Sequence, residues 1–148
     1  MDKSLVLSVT VGTGCYRHIQ VSEMETLSSL SDYILVSFDF FDDHMHAFFM
    51  NNRIWDPNFM YIGPEEDILG RTMDLNGAAG YSSKVILKNF RLGVGDKFLY
   101  VFDFGDEWRF RIKVLRIINE YTEVPNILRY KGEVSQYGED DDWDDDED

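Results

Sequence analysis

A single cysteine, Cys15, removes two chemistries at once: the chain can form neither an internal disulfide nor a cysteine-based zinc site. The expected setting is therefore a reducing, cytoplasmic one, with Cys15 as a small buried hydrophobe. No apolar run approaches the roughly 20 residues that cross a bilayer, and residues 5–11 are too short for a signal core, so no membrane partner is expected. Three histidines leave little material for acid–base chemistry. There is no serine elbow, no credible Ser/His/Asp set and no glycine-rich phosphate loop. Asp103-Phe104-Gly105 therefore stands alone, without the other parts of a kinase.

What the chain has is aromatic and apolar content, 15% and 44%, enough for the core of one domain of 148 residues. Its net charge of −14 is unevenly placed. Nine of the 28 acids fall in residues 139–148, which leaves a body of 19 acids and 14 bases, only mildly acidic. Residues 1–137 are expected to form the domain, and 138–148 an acidic tail disordered by its own repulsion.

Residues 5–11 and 16–21 read as strands joined through Gly12-Thr13-Gly14. A helix follows, capped either by Ser22 with Glu25 or by Thr26. Met24, Leu27, Leu30, Ile34 and Phe38 fall at helical spacing as its buried stripe. A strand over residues 44–51 completes a ββαβ opening, β-grasp-like in order. Residues 51–83 are an irregular stretch with a short edge strand over 58–62, and residues 85–87 read as another strand. After residue 118 the pattern fades. The expected fold is a single α+β domain, with a mixed or antiparallel sheet closed by a long C-terminal hairpin over 97–118.

That hairpin, KFLYVFDFGDEWRFRIKVLRII, is dense in aromatic and β-branched residues on both arms around Gly105-Asp106. A two-residue turn would pair Phe102 with Arg109 and build an aromatic, basic face suited to single-stranded nucleic acid. A three-residue loop would pair Phe102 with Phe110, Tyr100 with Ile112 and Phe98 with Val114, and set Asp103 opposite Arg109. The second is the expected register, because it gathers the large apolar residues on one face.

Three blocks carry a family resemblance: Tyr16-Arg17-His18-Ile19-Gln20-Val21, Asp42-Asp43-His44-Met45-His46-Ala47-Phe48, and Tyr100-Val101-Phe102-Asp103-Phe104-Gly105-Asp106-Glu107-Trp108. In this order they resemble the Ri-plasmid open-reading-frame-three-like family, found on plasmids, in bacterial and archaeal genomes and as a passenger on insertion elements. Pro125, Lys131-Gly132-Glu133 and Gln136-Tyr137 resemble the branch whose members end in an acidic tail. The resemblance implies a compact α+β domain and no established catalytic residue, cofactor or substrate. Tyr16 stands where that family commonly has tryptophan, and Phe110 where it commonly has histidine.

Three sets of residues are candidate sites. His44 and His46, with Asp42 or His18 as a third ligand, are of the right kind for a divalent metal; packed histidines are the simpler reading. Arg109, Arg111 and Lys113 share one side of a strand, with Lys84, Lys88, Arg91, Lys97 and Arg116 nearby in sequence, a stripe suited to nucleic acid. Asp142, Trp143 and Asp144 would anchor a protein partner, and the tail is also a candidate cover for the basic stripe. The leading expectation is a non-enzymatic cytoplasmic interaction module without a cofactor, binding a protein through its tail and the 51–83 stretch. A nucleic-acid-binding accessory of a mobile element is the alternative, and a metal enzyme centred on His44 and His46 ranks last.

Overall fold

Strands β1 (Ser4–Val11) and β2 (Cys15–Ser22) pair antiparallel in full register, from Ser4 opposite Ser22 to Val11 opposite Cys15. Gly12 and Gly14 make this tight reversal at φ 61° and 76°, a region that side chains with a Cβ disfavour. Helix α1 (Leu27–Ser37) starts at Thr26, whose hydroxyl accepts from the Ser29 amide, so Thr26 and not Ser22 is the N-cap. It ends in a Schellman arrangement, with Asp39 at φ 64° and Phe40 N–H donating to the Leu35 carbonyl at 2.8 Å.

The computed structural model describes residues 2–64 and 78–136. Among these, the further strands are β3 (His46–Phe49), β4 (Met60–Gly63), β5 (Gly80–Tyr81), β6 (Lys97–Phe102), β7 (Trp108–Ile118) and β8 (Asn126–Lys131). They form one mixed sheet in the order β5-β4-β3-β6-β7-β1-β2-β8, with β4 and β5 parallel. The molecule is a single α+β domain. Helix α1 covers one sheet face, where Leu27, Leu30 and Ile34 meet Leu7, Val9, Phe98, Tyr100, Phe110 and Ile112. Met24, expected in the helical stripe, precedes the helix and is exposed.

The β6–β7 hairpin corrects two expectations. It does not close the sheet; it stands at its centre and joins the β1–β2 half to the β3–β4 half. The β1–β2–α1–β3 order is present, with β7 and β6 between β1 and β3. The register is also neither of those expected: Phe102 faces Trp108, Tyr100 faces Phe110 and Phe98 faces Ile112. The cause is Asp103, which takes φ 66° and accepts from the amides of Gly105 and Asp106 at 3.1 and 3.3 Å. This Asx-type turn stretches the connection to residues 103–107. Asp103 is thereby held in the loop, and Arg109 pairs instead with Glu107 at 2.7 Å. The offset from the expected register is an even number of residues, so the apolar set still shares one buried face.

Three smaller corrections follow from local pairing. β4 is flanked by β5 and is not an edge. Residues 85–87 give one bridge, Thr26 to Ile86, before a 3-10 turn at Leu87–Phe90. The chain after residue 118 returns as β8 beside β2. Arg17, buried on the helix side, fastens that return: its Nε donates to the Ser37 carbonyl, and Nη1 to the carbonyls of Tyr16, Lys131 and Gly132. Its guanidinium lies 4.3 Å from the Phe38 ring centre.

Candidate nucleic-acid interface

The expected metal ligands do not converge. His46 is buried on the helix-side face, its Nε2 2.8 Å from Ser82 Oγ and its ring against Phe48 and Tyr100. Burial pushes its pKa down to about 4, which keeps the imidazole neutral. His44 precedes the strand, so the two histidines do not share one strand face; its Nε2 lies 3.4 Å from the carboxylates of Asp43 and Asp103. Asp42 sits beside Asp32, whose pKa is raised by burial and then by Asp42. His18 lies on the opposite face of the sheet, paired with Ser8. Among the described residues no group of three potential ligands comes together.

The basic residues do converge, on the sheet face away from α1. Along β7, buried Phe110, Ile112 and Val114 alternate with exposed Arg109, Arg111 and Lys113, which therefore all point outward. Register adds neighbours to this row: Lys113 stands opposite Lys97 on one side and Ser8 on the other. On β2, Tyr16 and His18 face the same way, and β8 sets Lys131 and Arg129 directly opposite them. A bulge between Val6 and Leu7 in the β1–β7 pairing brings Arg116 opposite Val6 on this face.

One half of the face is walled. Residues 50–59 fold over β3 and β4, where Trp55 packs edge-on against Phe49 and Phe104, each at 5.2 Å. The half over β7, β1, β2 and β8 stays open and contains two shallow concavities. One, of about 430 Å³, lies between Asn52 of the wall and Lys97, Arg111 and Lys113. The other, of about 350 Å³, is bounded by His18, Arg116 and Arg129.

Most of the basic groups on this face lack a carboxylate partner among the described residues. Arg109 is paired with Glu107, and Arg111 donates to the Gly12 carbonyl at 2.8 Å. Among the described residues, no carboxylate lies within ion-pair distance of Lys97, Lys113, Arg116, Arg129 or Lys131. Lys97 directly opposite Lys113 is a like-charge cross-strand pair, an arrangement that costs stability. His18 has its pKa lowered by burial and then by Arg129 and Arg116. Its ring stacks on Tyr16 at 5.0 Å and 29°, which supplies flat aromatic surface within the basic field.

Lys84, Lys88 and Arg91, counted with the stripe in sequence, are elsewhere. Lys84 ends a 3-10 turn, while Lys88, paired with Asp2, and Arg91 border a pocket beside core residues Leu5 and Leu87. The Tyr16–His18 pair, which reaches the face through β1 between β2 and β7, was not anticipated, nor were Arg129 and Lys131, which join it only through β8. The signal for them was the apolar and tyrosine content of residues 127–130. Asp142, Trp143 and Asp144 lie outside the described residues. No helix among the described residues is long and apolar enough to cross a membrane.

Comparison with known proteins agrees with the fold and adds no activity. No curated protein matches the chain. A crystal structure of a protein of unknown function, MM3350 from Methanosarcina mazei Go1, is similar at a TM-score of 0.64 and 24% identity. The match covers 88% of this chain and 70% of that one, and it supports the fold alone. Residues 7–141, nearly the whole sequence and all three blocks noted above, match one protein family, and the chain therefore belongs to the plasmid pRiA4b ORF-3-like proteins.

Proposed function

We propose that this protein is a non-enzymatic, cytoplasmic binding module whose open sheet face takes single-stranded nucleic acid. The observation that carries the reading is Lys97 facing Lys113 across the β6–β7 ladder, with Arg116, Arg129 and Lys131 on the same face also unpaired with any described carboxylate. A fold that keeps a local conflict of this kind gains something elsewhere, and a polyanion laid across the strands neutralises it. The Tyr16–His18 stack favours unpaired bases over duplex.

The reading is tested by fluorescence anisotropy with a labelled oligothymidylate, comparing the native chain, Lys113→Glu and Lys88→Glu. Lys113→Glu turns the like-charge pair into an opposite-charge pair. It should raise stability by about 0.5 kcal/mol while weakening oligonucleotide binding at least tenfold. Lys88→Glu, away from the face, should leave affinity within about twofold. Equal affinities for native and Lys113→Glu would remove the basis for the reading. A protein partner held through Asp142, Trp143 and Asp144 is a second proposal, supported by the density of acids in residues 139–148.

A further inference from the structure

We propose that the acidic C-terminal segment, residues 139–148, docks on the chain's own open basic face and competes there with nucleic acid. The inference rests on reading that face as a polyanion site. Charge complementarity is its first support. The face offers Lys97, Lys113, Arg116, Arg129 and Lys131 without a described carboxylate in ion-pair range, and the segment carries nine carboxylates in ten residues. Trp143 is the segment's one ring, and the Tyr16–His18 stack is the ring surface on the face.

The second support is where the described chain ends. After β8 the backbone passes close to the β1–β2 turn, so that a Cβ on Gly132 would stand 3.1 Å from Cys15 Cα. It then reaches Gln136, which is buried. There Oε1 accepts from the Phe41 amide at 2.8 Å, and Nε2 donates to the Phe41 carbonyl and Asp43. The neighbouring Phe40 ring lies 5.0 Å from Trp108, the first residue of β7. The chain is thus fastened at the end of the sheet where Arg109 begins its row on β7 and Lys131 closes β8. Twelve residues follow Gln136, an extended reach of about 40 Å. The five strands from β6 to β8 span only about 19 Å. The segment can therefore round the sheet end and cross the basic face. Tethering sets its effective concentration on the order of millimolar.

The test uses the full chain, native and with Asp140→Asn, Asp141→Asn, Asp142→Asn and Asp144→Asn together. Amide resonances are compared without nucleic acid at about 50 mM and about 500 mM salt. Docking predicts that the two proteins differ at Lys113, Arg129 and Lys131 in low salt, that the differences do not change with protein concentration, and that they vanish in high salt. Oligothymidylate binding in low salt should be at least tenfold tighter for the substituted chain, with the gap closing as salt rises. Identical resonances on the face overturn the docking, whatever the oligonucleotide does. Differences that grow with protein concentration also overturn it, since they mark contacts between copies. If the resonances differ as predicted and neither protein binds the oligonucleotide, docking stands and the nucleic-acid reading fails.

Discussion

Replacing His46 with glutamine should remove a specific part of this protein's sensitivity to acid. His46 is 2% exposed, and its Nε2 meets Ser82 Oγ at 2.8 Å. Burial lowers its pKa from 6.5 to about 4 in the folded state. The unfolded chain therefore takes up this proton first as pH falls, and folding stability declines from about pH 6.5 until the folded-state histidine also protonates near 4. The linkage amounts to about 2 kcal/mol at pH 5 and about 3 kcal/mol at its limit. Glutamine presents a comparable polar group to Ser82 and does not titrate. Urea unfolding, followed by tryptophan fluorescence at pH 7.5, 6 and 5, gives the comparison. Asp32, with its raised pKa, acts in the opposite sense, and His18 also titrates, but both are common to the two proteins and cancel in the difference. The native chain should lose about 2 kcal/mol more than His46→Gln between pH 7.5 and 5. Parallel pH profiles would refute the argument that His46 is held neutral.

Substitutions at three further positions probe the fold that carries the basic face. Arg17→Met leaves the carbonyls of Ser37, Lys131 and Gly132 without their donor; it should cost roughly 3 kcal/mol, and hydrogen exchange should quicken first in β8. Asp103→Ala removes the carboxylate oxygen that accepts from two amides, at a positive φ, and should lower stability by about 1–2 kcal/mol. Asp103→Asn, which tolerates that conformation and keeps an acceptor, should retain most of it in the same thermal melts. Gly63→Ala would place a Cβ 2.5 Å from Ser82 Oγ and 2.8 Å from the His46 ring; a melting temperature unchanged by this substitution would contradict the packing described there.

Local chemistry made much of the fold legible. Leu7 to Val11 alternates cleanly, Gly12 and Gly14 mark the turn, and Thr26 was one of two visible caps for α1. The buried face of the hairpin was readable because side-chain alternation survives any even shift in register. The register itself was not, since it turns on Asp103 entering the left-handed region and folding its carboxylate back on Gly105 and Asp106. Sheet order was hidden for a different reason. Setting β6 and β7 between β1 and β3 is a long-range choice that no local pattern encodes.

The candidate site divides along the same line. Arg109, Arg111 and Lys113 are neighbours on one strand, and their common face follows from alternation alone. Tyr16 and His18 come to that face because β1 stands between β2 and β7, and Arg129 and Lys131 are added by β8, more than a hundred residues from β2 in the sequence. His44 and His46 looked like a pair at i and i+2, but the strand starts at His46, so the geometry that a shared metal needs is not formed.

The most direct measurement is a nuclear magnetic resonance footprint of oligothymidylate on the full-length chain. The account predicts perturbations at Lys97, Arg111, Lys113, Arg116, Arg129 and Lys131, with ring-current shifts at Tyr16 and His18. Lys88 and Arg91, away from this face, should be unchanged. A footprint centred on Lys88 and Arg91, or no perturbation in the chain carrying the four tail Asp→Asn substitutions, would contradict the claim that the open basic face binds nucleic acid.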